Sequence, residues 1–121
     1  MNENLLFITA VACILTHEMD AIRCKEWTLF PGLHLIQDEK LAYQTFTLLH
    51  IPLYILLFWG VFGTSVVAEN VVIGLDIFFM VHIGLHILAL WHPKNQFTDW
   101  LSWLAIGGAG LFGGLDLLMR S

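Results

Sequence analysis

Charge is scarce in this chain. Only 12% of its 121 residues are Asp, Glu, Lys or Arg, and five basic side chains face ten carboxylates, for a formal net charge of −5. So few cations form no basic stripe of the kind that neutralises a phosphate backbone, which argues against nucleic acid as a partner. Cysteine is scarcer still. Cys13 and Cys24 are the two thiols, and eleven residues along one helix would hold them ~16 Å apart, too far for a disulfide. No Cys-x-x-Cys-His run is present, so covalently attached haem is excluded. The N-terminal Met1-Asn2-Glu3-Asn4 lacks the basic region of a secretory signal, which predicts that the first apolar segment is retained and not cleaved.

What is abundant is apolar sequence. Hydrophobic residues make up 58% of the chain and the mean hydropathy is +0.76, a composition outside the soluble range. It predicts an all-α integral membrane protein whose single domain, residues 1–121, is a four-helix up-down bundle in the lipid bilayer. Four spans are expected at about 5–22, 41–62, 70–91 and 97–119. Pro31-Gly32 turns the first connection, Gly63-Thr64-Ser65 breaks the second, and His92-Pro93 ends the third span. Short connections make neighbouring helices antiparallel. Arg23, Lys25, Lys40 and Lys94 then lie on one side and Arg120 on the other, which puts the first and third connections in the cytoplasm and both termini outside it. Trp27, Trp91, Trp100 and Trp103 gather on the cytoplasmic side, as an interfacial aromatic belt does.

Against this background the ionisable residues inside apolar segments stand out, because each is costly at membrane depth. Counted from the nearest basic or proline flank, His17 and His86 lie ~9–10 Å deep, Asp20 ~5 Å, and His50 and His82 ~15 Å. Antiparallel threading brings them to one zone near the cytoplasmic face. His17 and Asp20 share one face of the first helix, whereas Glu18 points ~100° away from His17. His82 and His86 stand one turn apart, the spacing that lets two imidazoles reach one metal. His50 shares a sector with Tyr43, Thr47 and Tyr54. Taken alone His50 reads as an interhelical hydrogen-bond partner. Glu18 reads either as a base facing a cavity or as the partner of a basic group. Asp76 and Asp116 form a second acidic layer toward the other face, as an ion route or as hydrogen-bonded side chains. His34 and His92 fall near loops and are expected to be solvated. Gly107, Gly110 and Gly114 line one face of the fourth helix, which suits close packing within the bundle, a homodimer or a larger membrane complex.

Several chemistries suit this inventory. A ferritin-like di-iron centre does not, because the second span holds no carboxylate. The histidine-box iron enzymes of membranes share His-x-x-x-His but use more histidines. One zinc on His17, His82 and His86, with His50 as alternative or fourth ligand, fits the count. Asp20 is then a ligand, an orienting partner of His17 or the general base, and Glu18 is a second candidate base. His17, Asp20 and one further histidine also match a two-His-one-carboxylate iron site. A b-type haem held by His50 and a facing histidine is a third arrangement. The corresponding functions are a metal-dependent hydrolase or oxygenase acting on a lipid-like substrate, an accessory, structural or proton-relay subunit, and an electron-transfer protein.

Two resemblances bear on these options. His82-x-x-x-His86 with an upstream histidine and carboxylate is similar in outline to the ceramidase-like transmembrane zinc hydrolases, which implies amide or ester hydrolysis; their Ser-x-x-x-His motif and seven spans are absent. The run His17-Glu18-Met19-Asp20-Ala21-Ile22-Arg23-Cys24-Lys25-Glu26-Trp27, with Pro31 beyond, resembles small bacterial four-helix membrane proteins of uncharacterised activity. It is loosely similar to the His-x-x-Glu-Glu families as well. That likeness implies a bacterial inner (cytoplasmic) membrane and no particular reaction.

Overall fold

A computed structural model describes residues 4–121, and the expectation about the chain's first residues lies outside them. The described residues form four α-helices and no strand: α1 (Leu5–Arg23), α2 (Glu39–Phe62), α3 (Val66–Leu88) and α4 (Trp100–Arg120). Short 3-10 turns at Glu26–Thr28, Leu33–Leu35 and Ala89–Trp91 fill the connections. Each of the four helices is long and apolar enough to cross a membrane.

Three helices begin where a side chain satisfies the first free backbone N–H groups. The carboxylates of Asp38 and Asp99 and the hydroxyl of Ser65 accept from the N–H of Leu41, Ser102 and Ala68, at 3.0, 2.9 and 3.2 Å. These caps move the helix starts away from the edges of the apolar runs. α2 begins two residues early, at Glu39, and α3 begins at Val66 rather than Asn70. α4 begins at Trp100 rather than Phe97.

Neighbouring helices run antiparallel. Between α1 and α4, Arg23 reaches Asp99 at 3.3 Å at one end, and Arg120 reaches Asn4 at 3.0 Å at the other. α4 lies between α1 and α3, and glycines permit the approach. A Cβ at Gly108 would stand 2.7 Å from Cys13 Sγ, and one at Gly110 2.8 Å from Ile83 Cγ2. Of the expected glycine face, Gly110 is thus the tightly packed member. Gly107 meets nothing within 4 Å, and a Cβ at Gly114 would be 3.6 Å from the sulfur of Met80.

Phe7, Ile14, Leu57, Val72, Phe79 and Ala109 form one apolar core, and Ala21, Cys24, Trp27, Phe46, Phe97 and Ile106 form a second. Trp27 is therefore buried, against Tyr43 and Phe46, while Trp91 and Trp100 are exposed. Outward faces carry Leu48, Ile55, Phe62, Val66, Leu104 and Leu118, all more than half exposed. An apolar exterior of this extent suits a hydrocarbon solvent better than water.

Candidate metal centre

α1 ends nearly two turns after His17, and the chain then reverses. Cys24 N–H bonds back to the Asp20 carbonyl at 2.9 Å, and Lys25 takes left-handed backbone angles of φ 50° and ψ 53°. A non-glycine residue in that region costs about 1–2 kcal/mol. The reversal drives the next residue, Glu26, back beneath the end of α1, where it is only 5% exposed. From α3, His82 and His86 project one turn apart toward the same point, with ring centroids 4.7 Å apart. His17 is fully buried, and His82 and His86 are 6% and 5% exposed.

Four ligand atoms from three elements converge there, all within 4.8 Å of one another. His17 Nε2 and His82 Nε2 are 3.0 Å apart, and His82 Nε2 and His86 Nε2 3.2 Å. Glu26 Oε1 lies 2.9 Å from His86 Nε2, 3.4 Å from His17 Nε2 and 3.6 Å from His82 Nε2. A tetrahedral ion with bonds of ~2.0–2.2 Å sets its ligand atoms ~3.3–3.6 Å apart, so these five separations lie at or slightly inside the edges of such a site. Burial opposes ionisation of Glu26, but hydrogen bonds from His17 and His86 outweigh it and hold the carboxyl below the usual carboxylate range. A charged carboxylate among imidazoles is the donor set that zinc and iron accept. Phe97 packs on the rings of His17 and His86, at 5.4 and 4.6 Å between centroids. His17 Nδ1 has no hydrogen-bond partner, so packing rather than a second carboxylate orients that ring.

The other candidate residues lie nearby but engage differently. Asp20 accepts from the Ser102 hydroxyl and from Arg23 Nε at 2.9 Å, tying α1 to α4. His50 hydrogen-bonds Glu18 through Nε2, and its Nδ1 donates to the Phe46 carbonyl at 2.6 Å. Glu18, nearly buried, thus reaches sideways from α1 to α2. His34 and His92 bond locally to loop backbone, at 3.2 and 3.1 Å. The structure therefore gathers His17, His82 and His86, leaves His50, Glu18 and Asp20 in adjacent pairs, and supplies Glu26 as the fourth member. Glu26 stood in the same sequence run as His17. Its inward aim depends on the Lys25 reversal, which no periodicity announces.

Two openings reach the cluster. One, of about 40 Å³, passes Leu29, Pro31 and Leu85 to Glu26, His82 and His86. A single water needs ~10–15 Å³, so this opening is large enough to hold water beside the cluster. The other is a cavity of about 250 Å³ walled by Glu26 and His82 on one side and by Glu18 and His50 on the other.

No curated protein and no solved structure matches the chain. A family model does match, and it covers residues 3–121, nearly the full length. On that extent of match the chain belongs to DUF6713, a family of unknown function.

Proposed function

We propose that this chain is a multi-pass membrane protein, of the bacterial inner membrane, that holds one zinc or iron ion on His17, Glu26, His82 and His86 and acts as a metal-dependent hydrolase or oxygenase on a lipid-like molecule. The observation that carries the reading is the convergence of four buried ligand atoms within 4.8 Å. Three imidazole nitrogens and a carboxylate oxygen have more lone pairs than protons to share among them, and one divalent cation satisfies all four at once. Nitrogens 3.0–3.2 Å apart leave room for an ion and none for a macrocycle, which weighs against b-type haem.

The two metals differ in what they leave open. Zinc usually takes four ligands, so for hydrolysis His17, His82 and His86 would hold the ion and Glu26 would be released to hold or move a proton. Iron accepts six, so all four side chains can stay while two positions remain free. A zinc ion held there would supply hydrolytic chemistry, and an iron ion would supply oxygen chemistry given dioxygen and an external reductant. The excess of Lys and Arg at the cluster end, with Arg120 at the other, supports a cytoplasm-facing site and termini on the opposite side.

The test is elemental analysis of protein purified without chelators, beside a His86→Ala variant. About one zinc or iron per chain is expected, falling to background in the variant. Wild-type protein free of both metals after expression in supplemented medium would sink the proposal and leave an accessory or proton-relay role.

A further inference from the structure

The partition between α1 and α2 extends the proposed function to its ligand. α2 closes on α1 near Gly60, where a Cβ would stand 2.8 Å from Phe7 Cζ, and meets it again through the His50–Glu18 pair. Beside that pair lie two cavities. The first, about 250 Å³, sits between α2 and α3 with Phe46, Leu49, Leu53 and Phe78 around it. The second, about 210 Å³, lies between α1 and α2 beside Ile22, Thr47 and Ile51. Ile22, Leu49 and Ile51 are 52%, 49% and 59% exposed, so both cavities border the outward apolar face.

From this arrangement we infer that the cavity between α2 and α3 binds the end of a neutral, single-chain amphiphile bearing a hydroxyl head, entering sideways from the hydrocarbon phase. The inference rests on the metal reading for the wall that Glu26 and His82 supply. Three features select the ligand. The volume, about 250 Å³, falls below the ~300–1,000 Å³ of ordinary small-molecule pockets and suits part of a single alkyl chain. At the wall away from the proposed ion the space is lined by the Glu18–His50 pair and by no Lys or Arg, so an anionic head seated on Glu18 meets a carboxylate and no lysine or arginine to offset it. Glu18 engages His50 through Oε2, which leaves its other oxygen to accept from a donor; a hydroxyl provides one and an alkane does not.

The experiment uses full-length protein in neutral phosphatidylcholine vesicles, photolabelled with a diazirine-bearing hexadecanol. Labelling is mapped by mass spectrometry, and the metal content of each sample is measured in parallel. Saturable labelling around Phe46, Leu53 and Phe78 is expected. Hexadecanol should compete at least about tenfold better than hexadecanoate or hexadecane, equivalent to ~1.4 kcal/mol. Leu53→Trp, which fills the cavity, should abolish the saturable part. Leu49→Trp at the more exposed rim should weaken it, and Leu48→Trp on the lipid-facing surface should leave it unchanged. Labelling that is spread evenly along α2, or equal competition by hexadecanoate, overturns the inference. If the protein proves metal-free while selective labelling persists, the metal reading fails and the binding site stands.

Discussion

At one end of the helices three imidazoles and a carboxylate meet; at the other, Asp76 of α3 faces Asp116 of α4. Both groups are buried, with Asp76 at 0% and Asp116 at 1% exposure, yet they meet the cost of burial differently. At the histidine end, side chains from α1, the turn after it and α3 bring four ligand atoms to one centre. At the aspartate end a cation is built in, since Arg120 donates to Asp116 at 2.6 Å and to Asn4 at 3.0 Å. Neither oxygen of Asp76 has a donor. Nitrogen ligands converging on one point could hold a metal ion, whereas a carboxylate closed by an arginine ties helices together.

The sharpest way to break this contrast is to remove one ligand at each end. Glu26→Gln should lower metal affinity by more than the ~10–100-fold typical of changes to outer partners, as measured by competition with a chromogenic chelator. Equal affinity in that variant would place the ion elsewhere. Chelator added to wild-type protein should lower its thermal stability by about 2.7 kcal/mol relative to a sample at a hundredfold excess of metal over Kd, with no such shift in His82→Ala. Ser102→Ala removes the hydroxyl that Asp20 accepts from. It should cost about 1–3 kcal/mol in unfolding while metal stoichiometry stays unchanged, which separates the α1–α4 tie from the cluster beside it. Asp76→Asn should have the smallest effect, within about 1 kcal/mol and without loss of metal, because Asp76 has no hydrogen-bond partner to lose and an amide can donate to Asp116. A large loss of stability or of bound metal there would mean that the two ends are coupled.

How legible each part was in the sequence depended on the range of the interaction that decides it. Helix existence was legible, because runs of about twenty apolar residues separated by Pro31, Gly63 and Pro93 admit little else. Helix starts were less so. Asp38, Ser65 and Asp99 cap at positions the hydropathy of the runs does not mark. The meeting of His17 with His82 and His86 followed from depth and antiparallel threading, since both are properties of helix rise. Which carboxylate joins them did not. Asp20 shares the face of His17 and was the natural candidate, but Ser102 and Arg23 hold it toward α4. His50 lies at the right depth, but Glu18 holds it at α2.

By itself, then, the sequence determined four apolar helices, their alternation, and a polar zone near one end of them. Those features come from composition, rise per residue and short connections, which act within one element or between neighbours. Only the tertiary structure decided that Glu26 completes the cluster, that Glu18 and His50 form the wall of a cavity, and that Gly108 and Gly110 set the spacing of α4 from its neighbours. Each of these depends on a backbone reversal or on a contact between distant segments. The left-handed residue at Lys25 turns a glutamate at the end of a helix into one that faces three histidines.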